Sequence, residues 1–94
     1  AVFVRRLGVM GCELQLHADD PRISIPAYES TTVDTAGVGD THIATMCAAL
    51  LLGHDFVEAA RMANAAAAIT ISHESALPVP SWEQIREVMK NGSV

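Results

Sequence analysis

The chain has 94 residues, half of them hydrophobic, enough for one small domain whose modest core needs no disulfide support. A net charge of −5 with only six Lys and Arg argues against nucleic acid and anionic membrane as partners, and no basic stripe or aromatic platform is present. Cys12 and Cys47 lack a C-x-x-C spacing, and no secretory apolar segment precedes them. The expectation is a reducing, cytoplasmic setting with both thiols as small buried hydrophobes.

The chain enters at once into an apolar, β-branched run without an initiator Met, which reads as a strand over 2–7 that has been cut into or processed. Arg5-Arg6 is its polar interruption and Gly8 closes it. Residues 12–17 alternate apolar and polar, Asp19-Asp20-Pro21 signals a turn, and Ile23-Ser24-Ile25 alternates again before Pro26. A β-hairpin is predicted there. Residues 27–32 are a polar connection, and Val33 leads into a glycine turn.

Behind that turn, Ile43, Met46, Cys47, Leu50 and Leu51 recur at helical spacing and predict one buried stripe, ended by Gly53. Asp55 followed by Glu58 resembles a capping box and opens a second helix through Ala59, Ala60, Ala63, Ala66 and Ala67. So many alanines leave a thin face, for which close helix packing is the plainer account. Neither run has the roughly twenty apolar residues that span a bilayer. Pro78 and Pro80 break the chain, after which Ser81 with Gln84 caps a last helix carrying Trp82, Ile85, Val88 and Met89 and ending near Asn91-Gly92. His17, His42, His54 and His73 lack the spacing of zinc ligands and read as surface or partly buried imidazoles.

The chemistry concentrates in Val33-Asp34-Thr35-Ala36-Gly37-Val38-Gly39-Asp40-Thr41-His42. Two glycines flank Val38 directly before a helical run, the outline of a tight turn feeding a helix N-terminus. Backbone N–H groups without intrahelical partners point outward there, and the helix dipole adds positive potential, so a phosphate fits. The stretch is neither G-x-G-x-x-G nor a Walker loop. Asp40 admits two readings: a capping residue in the first turn, or a general base beside an anion site.

These residues resemble the D-T-x-G-A-G-D-T signature of the ribokinase-like, or PfkB, carbohydrate kinases. Leu7-Gly8-Val9-Met10-Gly11 resembles the family's upstream L-G-x-x-G turn, Ala63-Asn64-Ala65-Ala66-Ala67-Ala68 its A-N-A-A-A-A helix, and residues 76–80 its proline-bearing return, all in the family's order. The resemblance implies an α/β fold, the C-terminal part of a ribokinase-like Rossmann-type sandwich, with strand, hairpin and then three helices. It also implies that residues 1–94 are a C-terminal segment lacking the N-terminal half, its lid and the N-x-x-E motif associated with Mg2+.

By the same resemblance the activity is ATP-dependent phosphorylation of a sugar or nucleoside hydroxyl, with Mg2+ and a monovalent cation such as K+ as companions. Asp40 would be the base, and the amides of Gly37, Val38 and Gly39 the anion hole. Gly8, Gly11 and Asn64 fall where relatives line the ATP pocket, although Asn64 also reads as a solvent-facing helix amide. Asp34 and the carbonyl of Ala36 resemble the monovalent-cation site, and Asp34 equally reads as a turn-former. Arg6 stands at the family's Thr, Val38 at its alanine, Ser75 at a glycine and His42 at a usual Phe. Packing is the simpler account of His42, and Ser75 bears against the cation. The isolated chain is expected to be inactive, its base and anion hole facing open solvent. A non-catalytic interaction module, dimerising or meeting the missing part through an uncovered edge, is the alternative.

Overall fold

The computed structural model describes residues 2–7, 11–73 and 80–94. Three strands, β1 (Phe3–Arg6), β2 (Cys12–Gln15) and β3 (Ile23–Ile25), precede three helices, α1 (Val38–Leu51), α2 (Phe56–Ile71) and α3 (Trp82–Asn91). This is the α/β order expected from the sequence, with the first strand shortened at both ends.

The sheet is an antiparallel meander in the order β1-β2-β3, with Arg6 opposite Cys12 and Cys12 opposite Ile25. Strict alternation in β2 sends Cys12 and Leu14 fully inward, while Glu13 and Gln15 stay half-buried. At the hairpin, Gln15 Nε2 donates to the carbonyls of Ala18 and Asp20 at 3.1 and 3.0 Å, so a strand side chain closes the turn. β1 is exposed along its whole length.

The core is centred on α2, which touches α1, α3, β2 and β3. Its alanines at 59, 60, 63, 65 and 66 are fully buried, and such small side chains let backbones approach closely. Asp55 Oδ1 accepts from Glu58 N at 2.8 Å and starts the helix. At α3 the capping box is complete, with Gln84 N donating to Ser81 Oγ and Ser81 N to Gln84 Oε1. Ile85 and Val88 turn inward, and Gly92 ends α3 in a left-handed conformation.

Two expectations about α1 are corrected. The buried positions are His42, Thr45, Met46 and Ala49; of the expected stripe Met46 is buried and Leu50 half-buried against the core, whereas Ile43, Cys47 and Leu51 are exposed. Apolar residues lie all round this helix, so their spacing does not single out a face. The choice is made by α2, whose alanine surface receives side chains at 42, 45, 46 and 49. Ile43 and Leu51 are left 50% and 89% exposed. Cys47 is therefore exposed as well, contrary to its reading as a buried thiol, whereas Cys12 is buried.

Candidate active site

The approach to α1 is pinned from behind. Val33 N and Asp34 N both donate to the carbonyl of Ile71 at the end of α2, at 2.7 and 3.2 Å. Ala36 N then donates to Asp34 Oδ1 at 2.9 Å, so Asp34 does form the turn. Val38 N reaches back to Thr35 O at 3.4 Å, and Thr41 N makes the first good helical bond, to Gly37 O at 3.0 Å. Between them, the amides of Gly37, Gly39 and Asp40 take no hydrogen bond among the described residues. They are the orphan donors of a helix N-terminus, gathered at its positive end.

The two glycines of the turn differ. Gly37 is the N-cap with φ 75°, a left-handed conformation that costs a side-chain-bearing residue, although a Cβ there would meet nothing. At Gly39 a Cβ would meet the Arg6 guanidinium, which, as the far end of a flexible exposed side chain, would have to move aside. Asp40 sits in the first turn of α1 with an exposed side chain, and no side chain caps the helix. Asp40 is the acidic residue of that first turn, so its reading as a group suited to the helix dipole stands beside the general-base one; its exposed carboxylate lies next to amides left unpaired among the described residues.

A cavity of about 560 Å³ opens next to the turn, lined among others by Arg6, Gly11, Val38, Gly39, His42 and Asn64. It thus brings together Gly11, Val38, Gly39 and Asn64 from the expected site, while Asp34, Ala36, Gly37 and Asp40 stand outside its lining. Gly11 is there of necessity. With φ 94°, a Cβ on it would run into the carbonyl of Ile25 and lie 2.6 Å from Ala27 N. Gly8 and Ser75 lie outside the described residues.

Asn64 is not the solvent-facing amide that its helix suggests; it is 3% exposed. Its Nδ2 donates to the carbonyls of Ile25 and Pro26 at 3.0 and 3.1 Å. Those two acceptors fix the orientation of the amide, so Oδ1 faces His42 Nε2 at 2.9 Å and the imidazole must carry its proton there. His42, 6% exposed, is accordingly buried and hydrogen-bonded. Burial holds its pKa below the ordinary 6.5, the bond to Asn64 works the other way, and the charge of Arg6 lowers it further. This polar bolt ties the first turns of α1 to the exit of the hairpin. Sequence reasoning named His42, Asn64 and Arg6 singly without joining them; the available signal was polar residues at inward positions of two apolar helices, His42 and Thr45 on α1 and Asn64 on α2.

The family model for the pfkB family carbohydrate kinases matches residues 1–84. The chain belongs to the PfkB carbohydrate kinase family. It is 39% identical over 79 residues to the bifunctional protein HldE of Bradyrhizobium sp. (strain ORS 278), covering 84% of this chain and 16% of that protein. It is 38% identical over 71 residues to HldE of Coxiella burnetii, covering 76% of this chain and 14% of that protein. Among solved structures, Arabidopsis thaliana ribokinase complexed with ribose and ATP superposes with a TM-score of 0.84 at 28% identity, over 93% of this chain and 28% of that one. A putative ribokinase II from E. coli in complex with ATP and Mg2+ shares the fold at a TM-score of 0.87 and 21% identity, over 96% of this chain and 29% of that one. The chain therefore spans about a sixth of these curated PfkB relatives and under a third of these structural neighbours.

Proposed function

We propose that this chain is the C-terminal, anion-binding segment of a PfkB-type kinase domain that transfers the γ-phosphoryl group of ATP to a hydroxyl of a sugar or nucleoside. The observation that carries the reading is the set of amides at Gly37, Gly39 and Asp40 that are unpaired among the described residues, with the exposed carboxylate of Asp40 alongside. Phosphoryl transfer asks mainly for positioning and charge stabilisation, which fixed donors and one base supply. Asp40 takes the acceptor's proton as its oxygen bonds to the γ-phosphorus. The bond to the β-phosphate oxygen breaks, and the turn's amides carry charge on the migrating group. Val38, Gly39, Gly11 and Asn64 form the nucleotide side of the site, together with Gly8 by its place in the family motif.

Mg2+ would come with the phosphates, since no group of three or more acidic or other metal-binding side chains is gathered among the described residues. For a monovalent cation the described residues offer Asp34 and the carbonyl of Ala36. Asp34 Oδ1 already accepts the Ala36 amide, and two oxygens do not make a cage, so no step is derived from such a cation. The remainder of a kinase domain would cover Phe3, Val4, Ile43, Leu51 and Leu52, all at least a third exposed, and would supply sugar recognition.

The test is Asp40→Asn in a kinase domain that contains this segment. Turnover should fall by at least about a hundredfold with ATP affinity retained. Retained turnover removes Asp40 from the base role. The 94 residues alone should bind ATP without phosphorylating sugars, and turnover by this chain would contradict its reading as an incomplete segment.

A further inference from the structure

We propose that residues 92–94 form a strap that holds one wall of the cavity in its ligand-binding shape, so that nucleotide affinity depends on the stretch following α3. This rests on the reading of the cavity beside the glycine turn as the nucleotide site. The strap lies beyond residues 1–84, the part that matches the family model.

The wall is the connection from β3 to the glycine turn. Ala27, Tyr28, Glu29, Ser30 and Thr32 line the cavity, yet they belong to none of the three strands or three helices. The two ends of this span are fixed on α2. Asn64 Nδ2 holds the carbonyls of Ile25 and Pro26, and Ile71 O receives the amides of Val33 and Asp34. Between those anchors, the backbone hydrogen bonds among the described residues are both at Glu29. Its N–H donates to Gly92 O at 3.4 Å and its carbonyl accepts from Val94 N at 2.9 Å, an isolated parallel bridge opposite Ser93. Tyr28 adds a side chain packed against the core.

The strap's own footing is firm. Ile85 and Val88 are buried and seat α3 on the core, and Gly92 N bonds Val88 O at 2.8 Å. A packed helix therefore presents residues 92–94 to the middle of a span that has no other backbone partner among the described residues. A connection tied only at its ends samples many shapes, and a bridge at mid-span removes much of that freedom. Apparent affinity scales with the fraction of molecules whose site already has the binding shape, so losing the bridge weakens a ligand seated against the wall. Linkage requires the reverse as well: the bound ligand tightens the bridge by the same factor.

The 94-residue chain tests this by amide NMR, with ATP affinity read from the saturation of the Gly39 and Asp40 shifts. Val94→Pro removes the N–H donated to Glu29 O at a residue 52% exposed, where the fold does not depend on the side chain. It should weaken ATP about three- to tenfold, the worth of one hydrogen bond. Val94→Ala keeps the N–H and should bind like wild type. Ser81→Ala, which lowers stability at the opposite end of α3, should do so too. In the wild type, saturating ATP should slow solvent exchange of the Val94 amide by a factor matching the loss in Val94→Pro. If Val94→Pro loses less than about threefold, or Ser81→Ala loses as much as Val94→Pro, the strap has no such role and the anion site stands. If the wild-type Gly39 and Asp40 amides do not respond to ATP at all, the nucleotide reading and the strap fall together.

Discussion

Replacing Asn64 by Ala tests whether the buried bolt holds the site together. The substitution removes a donor to Ile25 O and Pro26 O and the acceptor for His42 Nε2–H. Ile25 and His42 are 3% and 6% exposed, so their freed carbonyl and N–H find no water. Each buried group left unpaired costs about 1–3 kcal/mol, and the carbonyl of Pro26, only partly buried, less. The sum is about 3 kcal/mol, a large share of the ~5–14 kcal/mol that a domain of this size commands. Since about 1 kcal/mol moves the midpoint of such a domain by 4–8 °C, Tm should fall by roughly 12–24 °C. Urea unfolding followed by far-UV circular dichroism reads the change, with the exposed capping residue Gln84→Ala, expected to cost about 1 kcal/mol or less, as reference. Because His42 and Asn64 share one bond, the His42→Phe, Asn64→Ala double variant should cost less than the sum of the single ones. A loss below about 0.5 kcal/mol for Asn64→Ala would refute the reasoning.

His42 also predicts a pH dependence. Its folded pKa lies below the ordinary 6.5, so the unfolded chain binds its proton first as pH falls. The stability this neutral imidazole contributes is full above about pH 6.5 and is lost as pH drops from there toward the folded value; in His42→Phe, urea midpoints between pH 5 and 7.5 should lose that slope. Gly11→Ala combines a φ of 94° with a backbone collision at Ile25 and should cost at least about 2 kcal/mol or prevent folding, read by the same unfolding assay. Ser81→Ala breaks a complete capping box and should cost about 1 kcal/mol without changing ATP binding, which calorimetry checks.

The local signals in the sequence translated directly into structure. Alternation from Cys12 onward gave β2, Ser81 and Gln84 gave the start of α3, and the two glycines around Val38 gave a left-handed N-cap with open amides behind it. What escaped was decided by tertiary contacts. The buried face of α1 could not be read from a helix apolar on every side, because α2's alanines select it. Asn64 looks like any polar helix residue until the hairpin exit brings two carbonyls to it. His42 read as simple packing because its partner lies 22 residues further on. Arg6 belongs to a strand in sequence and to the glycine turn in space.

The central claim is that the amides between Gly37 and Asp40 receive a phosphoryl group, and the most direct measurement is the 15N amide spectrum of the chain titrated with ATP. The account predicts saturable shifts at Gly37, Gly39 and Asp40, with little change at Thr41, whose amide is already bonded to Gly37 O, and none in α3. Shifts confined to other parts of the chain, or no saturable response at these three amides at millimolar ATP, would contradict it.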